Sequence, residues 1–339
     1  MGTRGQKSGQ GTAGVAFAWA EYIDGLIAEH GTLAALADRL AALRAYQEDV
    51  ESVSRALRRL RTRGTEAGGV WGDRVLRAFG LPQPVDDRLR FMGQYHSRFV
   101  DLPLPLGIDL VQLWDRPPTN QSKPGRTWLS LAWATIELRA RRFEEARAHL
   151  RTVSTLAPLD PAAEVELCLA LGVLDTRGQA QLEAPSLAQI PALLAQIPAG
   201  PDHDCLAARY VGQRSHALNH RGEIDRALEL HLALPDTPRT HPFARSRRAN
   251  GIAYGLHRRG EIEAALREAR RAASYAGDAG HVRLRAMALL MISRIGKGSP
   301  EAEEARARAG AIAEMLAEPT LRSRVEAAAR DADEAHSQA

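Results

Sequence analysis

Cysteine is nearly absent from this 339-residue chain, with only Cys168 and Cys205 present. Two cysteines without CxxC spacing or companions argue against a disulfide framework and a zinc ribbon, and they suit a reducing compartment. Aromatic side chains make up only 5% of the sequence. Long hydrophobic runs are missing too: no uncharged stretch approaches the roughly 18 residues that a membrane span requires. The fairly apolar residues 11–20 are interrupted by Glu21 and Asp24 too early for a secretory leader. Gly2 would suit myristoylation, but Gln6 stands where that motif wants Ser or Thr. A cytoplasmic protein without a membrane partner is therefore expected. The GxxxxGK[ST], GxGxxG and GxSxG loops are all absent. No catalytic residue, cofactor or enzymatic activity is expected.

What the chain does have is Ala, Leu, Arg and Glu, residues that lose little side-chain freedom in a helix. Apolar content is 45% and charged content 25%, ordinary for a folded chain whose length allows two domains. The formal charge is only +4, and arginine supplies nearly all the cations. So small an excess says little about partners; where the charge clusters matters more. The composition predicts an all-α fold.

Residues 1–14 hold nothing to bury and are expected to form a disordered tail. Helical periodicity runs through residues 15–80. Trp19, Tyr22, Ile23, Leu26 and Ile27 share one face before Gly31, and Thr32 can cap a second helix carrying Leu33, Leu40 and Leu43. Val50, Val53, Leu57 and Leu60 mark a third, and Trp71, Val75, Leu76 and Phe79 a fourth. Residues 81–126 are a Pro-rich connector, too apolar to be free, punctuated by Pro82, Pro84, Pro103, Pro105, Pro117, Pro118 and Pro124. Short helices are predicted there over 90–99 and around Leu110–Trp114. Residues 127–335 alternate helices with turns.

That last stretch carries an internal repeat. Arg221-Gly222-Glu223-Ile224 returns as Arg259-Gly260-Glu261-Ile262, 38 residues later. Ser215 and Ala227 are twelve residues apart, as are Ala253 and Ala265, and Ala134 and Ala146, the last pair flanking Arg142-Phe143-Glu144-Glu145. The pattern resembles the tetratricopeptide repeat, in which small residues sit where two antiparallel helices cross and glycine permits the turn. Weaker copies cover 162–200 and 281–317, the latter with Ser293 and Ala305 at the same offset and Pro300 opening its second helix; residues 320–335 look like a polar capping helix. The resemblance implies a right-handed α-solenoid of stacked hairpins.

Five arginines, Arg55, Arg58, Arg59, Arg61 and Arg63, crowd the third helix without an intervening acid. With the preceding Leu33–Leu40 helix, it resembles a bacterial helix-turn-helix region. That resemblance implies Ser52, Ser54, Arg55 and Arg58 towards the bases of duplex DNA, with Arg59 and Arg61 near phosphates. The turn lacks its usual glycine and is several residues too long, and Glu48, Asp49 and Glu51 bring negative charge to the end that meets DNA.

In tetratricopeptide arrays the first helix of each hairpin lines the concave groove. Counting from the small positions places Arg209, Gln213, His216 and Asn219 there, and Arg247, Asn250, Tyr254 and His257 in the next repeat. Arg and Asn suit the carboxylates and backbone amides of a peptide or protein partner. His216 and His220 lie four apart without a third metal ligand, so no metal is expected. His96 and Asp101 suggest acid–base work, yet no nucleophile accompanies them. Together the resemblances imply a regulator whose repeats bind a peptide or protein and control DNA binding, with a homodimer compatible; the rival is a scaffold that assembles proteins without touching DNA.

Overall fold

A computed structural model describes residues 19–43, 49–63, 69–116, 119–176 and 184–336. The tail expected at 1–14 lies outside them. Every regular element among the described residues is helical, as the composition predicts, and no helix there is long and apolar enough to cross a membrane. Two compact units divide the chain: residues 1–85 with 112–122, and residues 86–111 with 123–339. The stretch read as one connector, 81–126, is shared between them.

In the first unit, α1 (Trp19–His30), α2 (Leu33–Ala41), α3 (Val50–Arg63) and α4 (Gly69–Phe79) follow one another. Gly31 stops α1 at φ +103°, a left-handed conformation that only glycine adopts freely. The Thr32 hydroxyl then caps α2, accepting from the Ala35 N–H at 3.1 Å. Asp49 caps α3 in the same way through the N–H of Ser52 at 2.8 Å. The core gathers Trp19, Tyr22, Ile23, Leu26, Leu36, Leu40, Val53, Leu57, Leu60 and Val75, all buried. Val50, expected on the apolar face of α3, is instead exposed at the helix's first residue. The α2–α3 connection, residues 42–49, is only partly within the described residues.

Three prolines of the next stretch open helices rather than interrupt them. Pro84, Pro105 and Pro124 are each the second residue of a helix: α5 (Gln83–Gly93), α6 (Leu104–Trp114) and α7 (Lys123–Arg139). A first-turn N–H has no intrahelical acceptor, so its absence costs nothing. The helix predicted over 90–99 is therefore corrected: α5 ends at Gly93, and only a short 3-10 turn at Arg98–Asp101 follows. Gly93 lies against Trp128, where a Cβ would come within 2.7 Å of the indole and the carbonyl.

The second unit continues with α8 (Phe143–Ser154), α9 (Pro161–Asp175), α10 (Ile190–Leu194), α11 (Pro201–His220), α12 (Ile224–Leu232), α13 (Pro242–Arg258), α14 (Ile262–Asp278), α15 (Val282–Ile295), α16 (Pro300–Met315) and α17 (Pro319–His336). Helices α7 to α16 pack as five successive hairpins. Ala134, Ala146, Ser215, Ala227, Ala253, Ala265, Ser293 and Ala305 are all at most 5% exposed. Three hairpin turns close identically: Arg142 N–H donates to Glu137 O, Glu223 to Leu218 and Glu261 to Leu256, at 2.8, 2.9 and 3.0 Å. These are the six-to-one bonds of a helix ending in a left-handed residue. Gly222 and Gly260 supply that residue at φ +82° and +78°, whereas Arg141 does so at φ +65° without being glycine.

The first helix of each hairpin touches the first helix of the next, α7 to α9, α11, α13 and α15; α15 then meets α17, and α17 meets α7. The array thus comes back on itself. Thr320 Oγ1 donates to the carbonyl of Arg139 at 2.9 Å, and Arg141 reaches Ser323 at 2.7 Å. Glu318, fully buried, pairs with Arg139 at 3.1 Å and with Arg283 at 2.9 Å. With α17, the second unit partly encloses the inner side of the array.

Candidate functional site

The enclosed side holds a cavity of about 940 Å³. Its walls come from α7, α9, α11, α13, α15 and α17, and from the segment that follows α5. Seven of the eight residues predicted for the groove line it: Arg209, Gln213, His216, Asn219, Arg247, Asn250 and Tyr254. His257 does not; it lies in the last turn of α13, a turn beyond Tyr254. Glycines seat two of these side chains. A Cβ on Gly172 would stand 2.5 Å from the Gln213 amide oxygen, and one on Gly212 would stand 2.8 Å from the Arg247 guanidinium. Gln213 Nε2 also donates to the Leu169 carbonyl at 2.8 Å, which fixes it against α9.

The other wall residues differ sharply in how well they are satisfied. Arg209 is buried, pairs with Glu166 and lies 4.7 Å above the Tyr95 ring. Arg283 lies over the same ring at 5.4 Å and donates to the Tyr95 hydroxyl. Arg247 is different. Among the described residues no carboxylate pairs with it, and its Nε has no hydrogen-bond partner. Burial pulls its guanidinium down to about 10, a large displacement for an arginine. The carbonyl oxygens of the Asn219 and Asn250 side chains are likewise without donors. His216 and His220 lean together with ring centroids 4.5 Å apart, and no group of three metal-ligand side chains exists among the described residues.

Sequence reasoning overlooked Tyr95, Glu166, Arg283 and Arg324, all in the cavity wall. Tyr95 belongs to a connector, and the other three sit in the weak repeats or the final helix, where the repeat register is hardest to count. The His96–Asp101 pairing considered for acid–base work is corrected. His96 Nε2 meets Asp202 at 3.1 Å and Nδ1 faces Glu166 at 3.5 Å, while Asp101 meets His281 at 3.3 Å. Burial opposes the charge of His96, but Asp202 and Glu166 outweigh it and raise its pKa. Burial also opposes ionisation of Glu166, and Arg209 with His96 overrides it, holding the carboxyl below its usual range. His231 goes the other way: burial, then Arg247 and Arg248, push it to about 4, so it is neutral and shares a 2.8 Å hydrogen bond with the Ser215 hydroxyl.

In the first unit, α3 presents Arg55, Arg58, Arg59 and Arg61 as exposed side chains. Arg61 pairs with Asp24 of α1 at 2.7 Å, in an exposed contact. Ser54 is half-buried. Ser52 is half-buried too and engaged in the cap, its hydroxyl donating to Asp49 at 2.8 Å and accepting from Arg55 at 3.3 Å.

Compared with known proteins, the chain matches no family model, no characterised sequence and no solved structure. The chemistry of its own side chains carries the reading.

Proposed function

We propose that the protein is a non-enzymatic regulator: a tetratricopeptide-like array that encloses a peptide or a short protein segment and controls duplex-DNA binding by a helix-turn-helix-like first unit. One observation carries this reading. The cavity is lined by Arg247, Asn250 and Asn219, each of which keeps one buried side-chain atom without a protein partner. An occupant of the cavity would therefore lie beside polar side chains that the fold leaves incompletely paired. A volume of about 940 Å³ is of the size that holds a small ligand or a few residues of peptide. The exposed arginine row of α3 supports the DNA-binding half, because such a row can displace the counterions condensed on phosphates.

The test is fluorescence anisotropy of the full chain with a labelled mixed-sequence duplex, from low to physiological salt. The full chain is required because residues 86–111 belong with the repeats. Tight binding at low salt, falling steeply as salt rises, is the expected outcome. Absence of binding at low salt would leave the scaffold reading in place.

A further inference from the structure

The cavity wall is cationic out of proportion to the chain. Seven arginines line it, at positions 139, 141, 209, 247, 283, 294 and 324, against the two carboxylates of Asp101 and Glu166. Glu166 is taken by Arg209, and Glu318, behind the wall, is shared by Arg139 and Arg283. Among the described residues no acid pairs with Arg247, nor with Arg141, Arg294 or Arg324. Arg247 lies across Gly212, where any Cβ would collide with it, and 5.8 Å above the Phe243 ring. A guanidinium without a counter-ion, in a wall where cations outnumber acids, favours an anion that can pair with it. The same cavity is also lined by the apolar side chains of Leu169, Val173, Met287 and Leu290.

Resting on the reading of this cavity as a ligand site, we infer that its occupant carries an anionic head on an apolar body, and that Arg247 receives the head. The planar guanidinium offers two parallel N–H donors to the paired oxygens of a carboxylate or a phosphate. Asn250, one turn further along α13, lines the same cavity. The apolar side chains take the body.

A matched pair of fluorescent probes tests this on the full chain: 1-anilinonaphthalene-8-sulfonate and N-phenyl-1-naphthylamine, which differ by the anionic group. The wild type is expected to bind the sulfonate at least about tenfold more tightly than the neutral dye. Arg247→Met and Arg247→Gln should weaken sulfonate binding at least about tenfold more than binding of the neutral dye, while Arg247→Lys restores part of the preference. Arg247→Met should also raise the melting temperature of the ligand-free protein, because it removes one positive charge from beside Arg209, Arg283 and Arg324. Decanoate and decyl phosphate as competitors separate a carboxylate head from a phosphate head. Displacement by either, and not by decanol, supports the inference. Equal affinity for both dyes, or a sulfonate preference undiminished in Arg247→Met and Arg247→Gln, overturns the assignment of the head to Arg247 while the cavity remains a ligand site. If neither dye binds, the ligand-site reading itself fails and the inference falls with it.

Discussion

Ala227 and Ala265 are 1% and 0% exposed, each on the second helix of a hairpin that packs closely on the first. A methyl group is what that spacing admits. Replacing either by leucine should overpack the crossing and lower stability by roughly 1–3 kcal/mol, read by chemical denaturation; unchanged stability in both variants would refute the close crossing. The buried histidines make a second prediction at this scale. His96 has its pKa raised in the folded state, so its contribution is fully present below about 6.5 and is lost as pH rises through the raised value. His231 has its pKa lowered to about 4, so the unfolded chain takes up a proton first and stability falls as pH drops below about 6.5. Their combined effect places a stability maximum near that pH. Melting temperatures between pH 5 and 8 should show His96→Asn flattening the alkaline limb and His231→Asn flattening the acid limb. An alkaline limb unaffected by His96→Asn would dissociate that histidine from Glu166 and Asp202.

At the scale of the element, α3 combines a buried seam, Val53, Ala56, Leu57 and Leu60, with an exposed row of arginines. Packing of the seam fixes which way the row faces. If the row meets duplex DNA as proposed, its members should differ in kind. Arg59→Ala should weaken binding to every sequence and reduce the salt slope by about one. Arg55→Ala and Arg58→Ala should in addition relax sequence preference, seen as convergence of affinities for different duplexes. Arg61 already holds Asp24, so Arg61→Ala combines a lost phosphate contact with a lost surface ion pair, the latter worth about 1 kcal/mol or less. Indifference of DNA affinity to all four substitutions would move the basic face out of the reading.

For the whole repeat unit, the decisive contacts join residues about 180 positions apart, such as Arg139 with Glu318. Burial opposes the charge of Glu318, but Arg283 and Arg139 together hold its carboxyl below the usual carboxylate range. Glu318→Ala would strand two arginines, Arg139 being 2% exposed. A loss of about 3–5 kcal/mol is expected, read as a lower denaturation midpoint. A variant as stable as the wild type would mean that the closure does not depend on this pair.

The helical class, the hairpin spacing and most of the groove residues were legible in the chain, because they follow from local requirements. Periodicity of 3.6 sets a buried face, a crossing needs a small residue on each helix, and a left-handed turn favours glycine. Even so, Arg141 takes the glycine conformation without the glycine, so the first hairpin's turn was visible only through its neighbours Phe143 and Ala146. Proline positions were legible as punctuation, but that Pro84, Pro105 and Pro124 open helices was visible only in the structure. The return of α17 to α7 and the recruitment of Tyr95 into the wall were not legible, nor was the absence of any acid beside Arg247. Those depend on how small rotations between successive hairpins add up, and on which side chains meet once they have. A sum over many packed interfaces is a property of the tertiary structure alone.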